Sequence, residues 1–416
     1  MITNKLKAPS RHVDGVRLWR RMAKLASVGA TPLGGVDRPS LSRLEARARS
    51  VSIGWARRHG LGICTDPIGN LFFTLDGTEP NSEPVLAGSH LDTQPGGGRF
   101  SGAYGLLAAV EALVAIKKAR KRPRRPVWAV AWSNRESSRF APGYLGAEVF
   151  AGLRPLDDVL NIKDAAGARL ADDLAATFKS QGELPVMGPG ISCAAYVETH
   201  LEQGVVLERS LATIGGVSKV RGMRRFEIKV TGESGHLGTT PSQSRRDALF
   251  ATVRIIAALN QFFAAPDINF GVGQLSVEPN APAVVPRLVT FSVDIRHLDN
   301  TILARLGDTV TLICESEKGL CRFELTEVML RPTVQLSPEI AALIAKAADR
   351  IGQCAMPLDS LGGHDAMVMQ AVCPSGLILI PCKGGISHHE AEAIEPAHAT
   401  AGAKVLTDVL YELAAS

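Results

Sequence analysis

"SHLDTQPGGGRFSGAYG", Ser89 to Gly105, decides how the rest of the chain is read. The apolar run "PVLAG" leads into it and the apolar stretch Leu106 to Ile116 follows it. A short apolar strand, a polar tip, a glycine-rich loop and an apolar helix make up one unit of an α/β sheet, where ligands bind beyond the carboxyl ends of strands. His90 and Asp92 stand at that tip. A metal site here would want a carboxylate in the turn before the helix, and Ser101 occupies that position. As the residue before Gly102 and the helix, Ser101 reads more simply as an N-cap. The alternative is a ligand or nucleophile role, for which no base stands beside it.

The same pattern recurs along the chain. "PVWAVAWSN", "GLILIPC" and, less clearly, "AAYVETH" are apolar runs that end in polar or glycine-rich residues. Each leads to a candidate ligand: Glu136 beyond the first, His388 beyond the second and His200 at the end of the third. Histidine and glutamate are ordinary zinc ligands. Asp92, two residues beyond His90, is placed to hydrogen-bond that imidazole and fix its tautomer. No single member is convincing, because a lone histidine beside glycine is usually a satisfied loop residue; the repeated strand-end placement carries the reading.

Between about Gly216 and Arg331 the texture changes. "RRFEIKVTG" and "RLVTFSVDIRH" alternate apolar and polar residues, with the helical "RRDALFATVRIIAALNQFF" between them. Alternation means half-buried strands, so this stretch reads as a small α+β domain with one open sheet face. After Pro332 helical and buried-strand patterns resume. The expected architecture is α/β: a catalytic domain with a mixed sheet flanked by helices, residues 1–216 and 332–416, with an inserted α+β domain at 217–331. Ser42 and Glu45 form a capping box for a helix through Arg58, and Gly60 is its stop.

Composition narrows the partners. The chain has 416 residues, 45% hydrophobic and 21% charged, with a formal net charge of +5. One dense basic run, Lys117 to Arg125, follows the apolar helix. No aromatic residue interleaves it, so it reads as a helix C-terminus complementing its dipole and not as a nucleic-acid patch. Seven scattered cysteines without a C-x-x-C pair argue against a disulfide framework or zinc knuckle. No apolar leader or membrane-length stretch is present, so a cytoplasmic setting is expected.

Taken together, "GSHLDTQPGGGRFSGAYGLLAAVEAL", "WSNRESSRFAPGYLGAEVFAG", "ETHLEQGVVLE", "VTGESGHLGTTP", "VVPRLVTFSVDIRH", "GGHDA" and "KGGISHHEAE" make the chain resemble a known family. It is the N-carbamoyl-L-amino-acid hydrolase and allantoate amidohydrolase (hydantoinase/carbamoylase) family of the zinc aminoacylase/metallopeptidase superfamily. The resemblance spans nearly the whole sequence. It implies an amidohydrolase acting on a non-peptide C–N bond of an N-carbamoyl amino acid or ureido acid, with an inserted lid domain that makes a homodimer. It implies two divalent metals, Zn or Mn, with terminal ligands at His90 and His200 for one and Glu136 and His388 for the other. It also implies that Gln203, Arg224 and Arg296 bind a carboxylate-bearing substrate, and that His236 polarises the scissile group across the dimer. His364 and Asp365 take supporting roles.

The chain departs from that pattern at two decisive positions. The bridging aspartate maps onto Ser101 and the general base maps onto Arg135. An anionic bridge offsets the repulsion of two metals about 3.5–4 Å apart, and serine is neutral. Arginine cannot accept a proton at working pH. A lid asparagine of the family falls on Ala283. Two further readings therefore stand beside the amidohydrolase: a paralogue that binds a small carboxylate ligand without hydrolysing it, and an altered chemistry with one metal or none.

Overall fold

The computed structural model describes residues 8–182, 184–188 and 190–416. The first residues, read above for a leader, lie outside them. Two compact units emerge: Met1–Ser218 with Leu336–Ser416, and Lys219–Gln335. The strands in chain order are β1 (Gly62–Thr65), β2 (Leu71–Leu75), β3 (Val85–His90), β4 (Val127–Trp132), β5 (Ala195–Leu201), β6 (Ile214–Val220), β7 (Gly222–Thr231), β8 (Asn269–Glu278), β9 (Leu288–His297), β10 (Arg322–Arg331), β11 (Val334–Gln335), β12 (Ala355–Ser360) and β13 (Ser375–Ile380).

In the larger unit the sheet runs β1-β2-β4-β3-β5-β13-β6, with β12 also paired to β6. β4, β3, β5 and β13 are parallel neighbours, whereas β2 joins β4 and β6 joins β13 antiparallel. Every residue of β3, β5 and β13 is buried, as expected of parallel strands covered on both faces. The helix Ala103–Lys118 buries all of Ala103 to Ile116 and packs on β3, β4 and the helix Pro396–Ala415. A helix apolar all round belongs in a core; each fully buried Leu or Ile on it contributes about 1.5–3 kcal/mol. Lys117 and Lys118 occupy its last turn.

The helix Arg43–Arg58 starts with a modified capping box, in which the glutamate reaches the residue before the cap and the Ser42 N–H goes to the Pro39 carbonyl. Ser42 Oγ accepts from the Glu45 N–H at 3.2 Å, while Glu45 Oε2 reaches back to the Leu41 N–H at 2.5 Å. Gly60, at φ +63°, ends it. All seven cysteines are free thiols.

The smaller unit is an antiparallel sheet, β10-β7-β9-β8, with the helices Ala248–Phe262 and Asn300–Glu317 packed against it. Along β9 burial alternates residue by residue. Phe226, Ile228, Val230, Val289, Phe291, Val293 and Ile295 form one cluster with Ala251, Ile255, Leu259, Leu303 and Val310 from the helices. The other face of the central strands carries polar side chains. Among the described residues no helix is long and apolar enough to cross a membrane.

Candidate functional site

The four parallel strands of the larger unit deliver the site residues at their carboxyl ends. His90 is the last residue of β3 and His200 lies near the end of β5. Arg135 and Glu136 follow β4, and the loop after β13 carries Ser387, His388 and Glu392. Apart from the half-exposed His388 side chain and Ser387, these groups are buried.

His90 Nδ1 lies 2.8 Å from the Asp92 carbonyl oxygen and 3.4 Å from Asp92 Oδ1. Asp92 thus holds the ring mainly through its backbone carbonyl. Its carboxylate Oδ2 accepts the Glu136 N–H at 2.9 Å and so ties the β3 tip to the β4 tip. Burial opposes charging of His90, but the Asp92 hydrogen bond and the Glu136 carboxylate outweigh it and raise its pKa, with Arg135 opposing them. His200 is the opposite case. Burial, with His364 and Arg135 nearby, holds its pKa well below the ordinary value. Its Nδ1 meets the Leu201 carbonyl at 3.1 Å, and its Nε2 accepts the Gly102 N–H at 3.3 Å.

Ser101 is not an N-cap. The helix cap is Gly102, at φ +70°, and no side chain bonds there. Gly102 also packs so closely on His90 that a Cβ would lie 2.4 Å from His90 Cε1. Ser101 Oγ instead accepts from Gln203 Nε2 at 3.3 Å, and the same amide donates to Ser387 Oγ at 2.6 Å. The carboxylate that reaches this turn is Glu392. Its Oε1 accepts the N–H groups of Phe100 and Ser101 at 3.0 and 2.9 Å.

Arg135 is buried. Its Nη1 donates to Glu136 Oε1, its Nη2 to the Gly363 carbonyl, and its Cζ lies 5.2 Å from the centre of the Tyr144 ring. Burial works against its charge, but Glu136 overrides that and raises its pKa. Burial likewise works against ionising Glu136, yet Arg135, then His90 and His388, hold its pKa far below the usual value. Glu136 Oε2 accepts from Gln94 Nε2 at 2.7 Å and lies 3.6 Å from His388 Nε2.

Beneath the histidines lie Glu198, His364 and Asp365, all fully buried. Glu198 accepts from Ser89 Oγ at 3.1 Å and from the Ala366 N–H at 2.9 Å. His364 Nε2 is 3.0 Å from Ser360 Oγ, and its ring sits edge-on to His200 at 4.8 Å. Among the described residues neither Asp365 oxygen has a hydrogen-bond partner. Burial, reinforced by Glu198, pushes its pKa up to about 8. Sequence reasoning missed Glu198 and Glu392. A signal existed for the first, since Glu198 is two residues before His200 on a strand and shares its face.

The remaining predicted residues lie in the smaller unit. His236 is near the surface, its Nδ1 accepting the N–H groups of Gly238 and Thr239 at 3.0 and 3.2 Å. Arg296 is on the polar face of β9, bonded to Asp294 Oδ1 at 2.8 Å. Arg224 does not share that face. It pairs with Ile295 in register and lies over the Phe226 ring, bonded to Glu327 at 2.7 Å and to the Ala304 carbonyl at 2.7 Å. Its neighbour Arg225 pairs in register with Asp294 and bonds to it at 2.8 Å. The arginine beside Arg296 is therefore Arg225.

A mixed sheet with buried histidines and acids at the ends of its parallel strands, plus a separate α+β unit, defines the class of protein: the metallopeptidase-like amidohydrolases. The chain belongs to Peptidase family M20/M25/M40, matched over residues 86–412, and within it to the N-carbamoyl-L-amino-acid and allantoate amidohydrolases of the hydantoinase/carbamoylase group. It is 36% identical to the N-carbamoyl-L-amino-acid amidohydrolase of Rhizobium meliloti, covering 97% of this chain and 98% of that one. It is 34% identical to the allantoate amidohydrolase of Escherichia coli (strain K12), covering 94% and 96%. A crystal structure of a hydantoinase/carbamoylase family amidase from Burkholderia vietnamiensis superposes with a TM-score of 0.90 at 37% identity, covering 97% and 98%.

One member of the family is a dinuclear metal binding peptidase, so divalent metals are the group against which the site has to be tested. The residues present do not fit a two-metal centre. The His200 Nε2 lone pair is taken by a backbone N–H, both Glu136 oxygens already accept hydrogen bonds, and Ser101 supplies no anionic bridge. A divalent ion about 5 Å from a guanidinium is repelled by roughly 7 kcal/mol at an effective dielectric of about 20. Among the described residues no group of three or more His, Cys, Asp or Glu side chains is arranged to hold a metal.

Proposed function

We propose that the protein is an amidohydrolase acting on a non-peptide C–N bond of a small carboxylate-bearing carbamoyl or ureido compound, the class named for the relatives above. The observation that carries the reading is the whole-length match together with the buried cluster of His90, Glu136 and His200 at the ends of parallel strands, with the partly buried Gln203 beside it. In this reaction water adds to the carbamoyl carbon, the C–N bond to the amino acid breaks, and the carbamate released decays to carbon dioxide and ammonia. Gln203, which bonds both Ser101 and Ser387, presents a fixed amide to a ureido group. Within the smaller unit, Arg225 and Arg296, sharing Asp294, are cations suited to a carboxylate, and His236 is a further polar group of that unit. A homodimer and a cytoplasmic setting belong to the same proposal.

The buried Arg135–Glu136 pair favours a second reading, in which the site binds this ligand class and hydrolyses it slowly or not at all. Ammonia release from a panel of N-carbamoyl-L-amino acids and allantoate, run beside calorimetric titration with the same compounds, separates the two. Turnover supports the first reading. Saturable binding without ammonia supports the second. Neither turnover nor binding at millimolar concentration overturns both.

A further inference from the structure

We propose that the Arg135 guanidinium is the resident cation of this site and stands where the family's pattern would place metal charge on Glu136, so that the centre is built to work without a metal there. This rests on the site assignment above and adds to it the identity of the cation.

Charge bookkeeping supports the exchange. Relative to the family pattern, Ser101 for an aspartate removes one negative charge. Arg135 for a glutamate removes another and adds a positive one. The net change is +3 in side-chain charge. A two-metal centre supplies +4, so the protein has built most of that charge into its covalent structure.

Geometry supports it independently. Arg135 is held from three sides: by Glu136 Oε1, by the Gly363 carbonyl and by the face of Tyr144. A planar guanidinium with that many partners is a fixed charge and not a swinging surface side chain. Glu136 is held equally firmly, by Gln94 on its other oxygen and by the Asp92 carboxylate at its backbone N–H. On the His90 and His200 side the same closure is made by neutral means, with Gly102 packed on one ring and hydrogen-bonded to the other. His200 Nε2 and both Glu136 oxygens each have a donor in front of them, whereas His90 Nε2 has no hydrogen bond among the described residues and lies 3.4 Å from Glu136 Oε1. An ion entering at that nitrogen meets the guanidinium that shares this same oxygen.

The test begins with the native protein. Cells are grown with added zinc and manganese, and the purified chain is measured by mass spectrometry for metal and titrated with ZnCl2 and MnCl2. The expected result is less than about 0.2 metal per chain and an unfolding midpoint that EDTA leaves unchanged, because an ion bound only to the native state would raise it. One or two tightly held ions per chain, lost to EDTA with a fall in the midpoint, would overturn the proposal. The variant Arg135→Gln removes the competing cation and leaves Glu136, His90 and His388 in place. Its zinc affinity should rise at least tenfold, and an unchanged affinity counts against the proposal. Ser101→Asp with Arg135→Glu should take up zinc more tightly still. None of these readouts uses turnover. Metal-free protein that neither binds nor cleaves carbamoyl compounds removes the function reading and leaves this one. Metal-loaded protein that cleaves them removes this one and leaves the function.

Discussion

Two halves of one site face each other at the ends of the parallel strands, and they are closed in different ways. Around Gly102 and His200 the closure is steric and neutral. Gly102 wedges against the His90 ring and gives its N–H to that of His200, and His200 stays uncharged in a fully buried place. Around Arg135 and Glu136 the closure is electrostatic, a buried ion pair whose members each hold the other's charge. The difference shows how a site can depart from a family pattern along two routes. A neutral residue at Ser101 needs only hydrogen bonds around it. A cation at Arg135 needs a carboxylate, a carbonyl and an aromatic face.

The largest expected effect lies in the charged half. Removing one partner of a buried ion pair leaves an uncompensated charge and costs about 3–5 kcal/mol. Arg135→Met should therefore lower stability by that amount in urea unfolding. Arg135→Met with Glu136→Gln should recover most of the loss, since replacing both partners is often nearly neutral. The effect should change little between low and high salt, because buried pairs are weakly screened. If the single variant costs no more than a surface substitution, the two halves do not differ as described.

The neutral half breaks through backbone and packing. Gly102→Ala puts a methyl group 2.4 Å from His90 Cε1 at a residue with φ +70°. Strain and overpacking together should cost about 2–3 kcal/mol. The halves then separate by pH. The Glu136 pKa is depressed from an ordinary 4.5. Its contribution is full above that unfolded value and is lost as pH falls below it toward the folded one, at a slope approaching 1.4 kcal/mol per pH unit. Gly102→Ala should keep this acid limb, whereas Arg135→Met should flatten it. Asp365 acts in the opposite direction. Its pKa is raised to about 8 by burial and Glu198, so it lowers stability as pH rises from its unfolded value near 3.8 toward 8. Asp365→Asn should remove that decline, read from unfolding midpoints between pH 5 and 8.

Much of this arrangement was legible in the sequence because strand ends announce themselves. Apolar runs that stop at His90, at the residues before Glu136, and near His200 place those side chains beyond a parallel sheet, and β3, β4, β5 and β13 do so. The alternation in "RLVTFSVDIRH" put Arg296 on the polar face, where it lies. Adjacent positions were harder. Arg224 and Arg225 differ by one residue, and a one-residue step flips the face of a strand. The strand register puts Arg225, not Arg224, beside Asp294 on the face that carries Arg296. Ser101 looked like a cap because serine caps are common, yet the glycine after it, at positive φ, starts the helix. Glu392 escaped notice because its partners, the N–H groups of Phe100 and Ser101, are almost 300 residues away in the chain.

The smallest expected effect is the most telling about the neutral half. Ser101 Oγ has one long hydrogen bond, 3.3 Å from Gln203 Nε2, and that amide keeps a shorter one to Ser387 at 2.6 Å. Ser101→Ala removes an acceptor and leaves no donor stranded, so the loss should stay under about 1 kcal/mol. The loop N–H groups still bond Glu392, and Gly102 still caps the helix. The midpoint of unfolding and the binding of a carbamoyl amino acid should both stay close to those of the native protein. A large loss of binding with unchanged stability would mean that the hydroxyl itself touches the ligand, and the neutral half would then be a recognition surface as well as a packed wall.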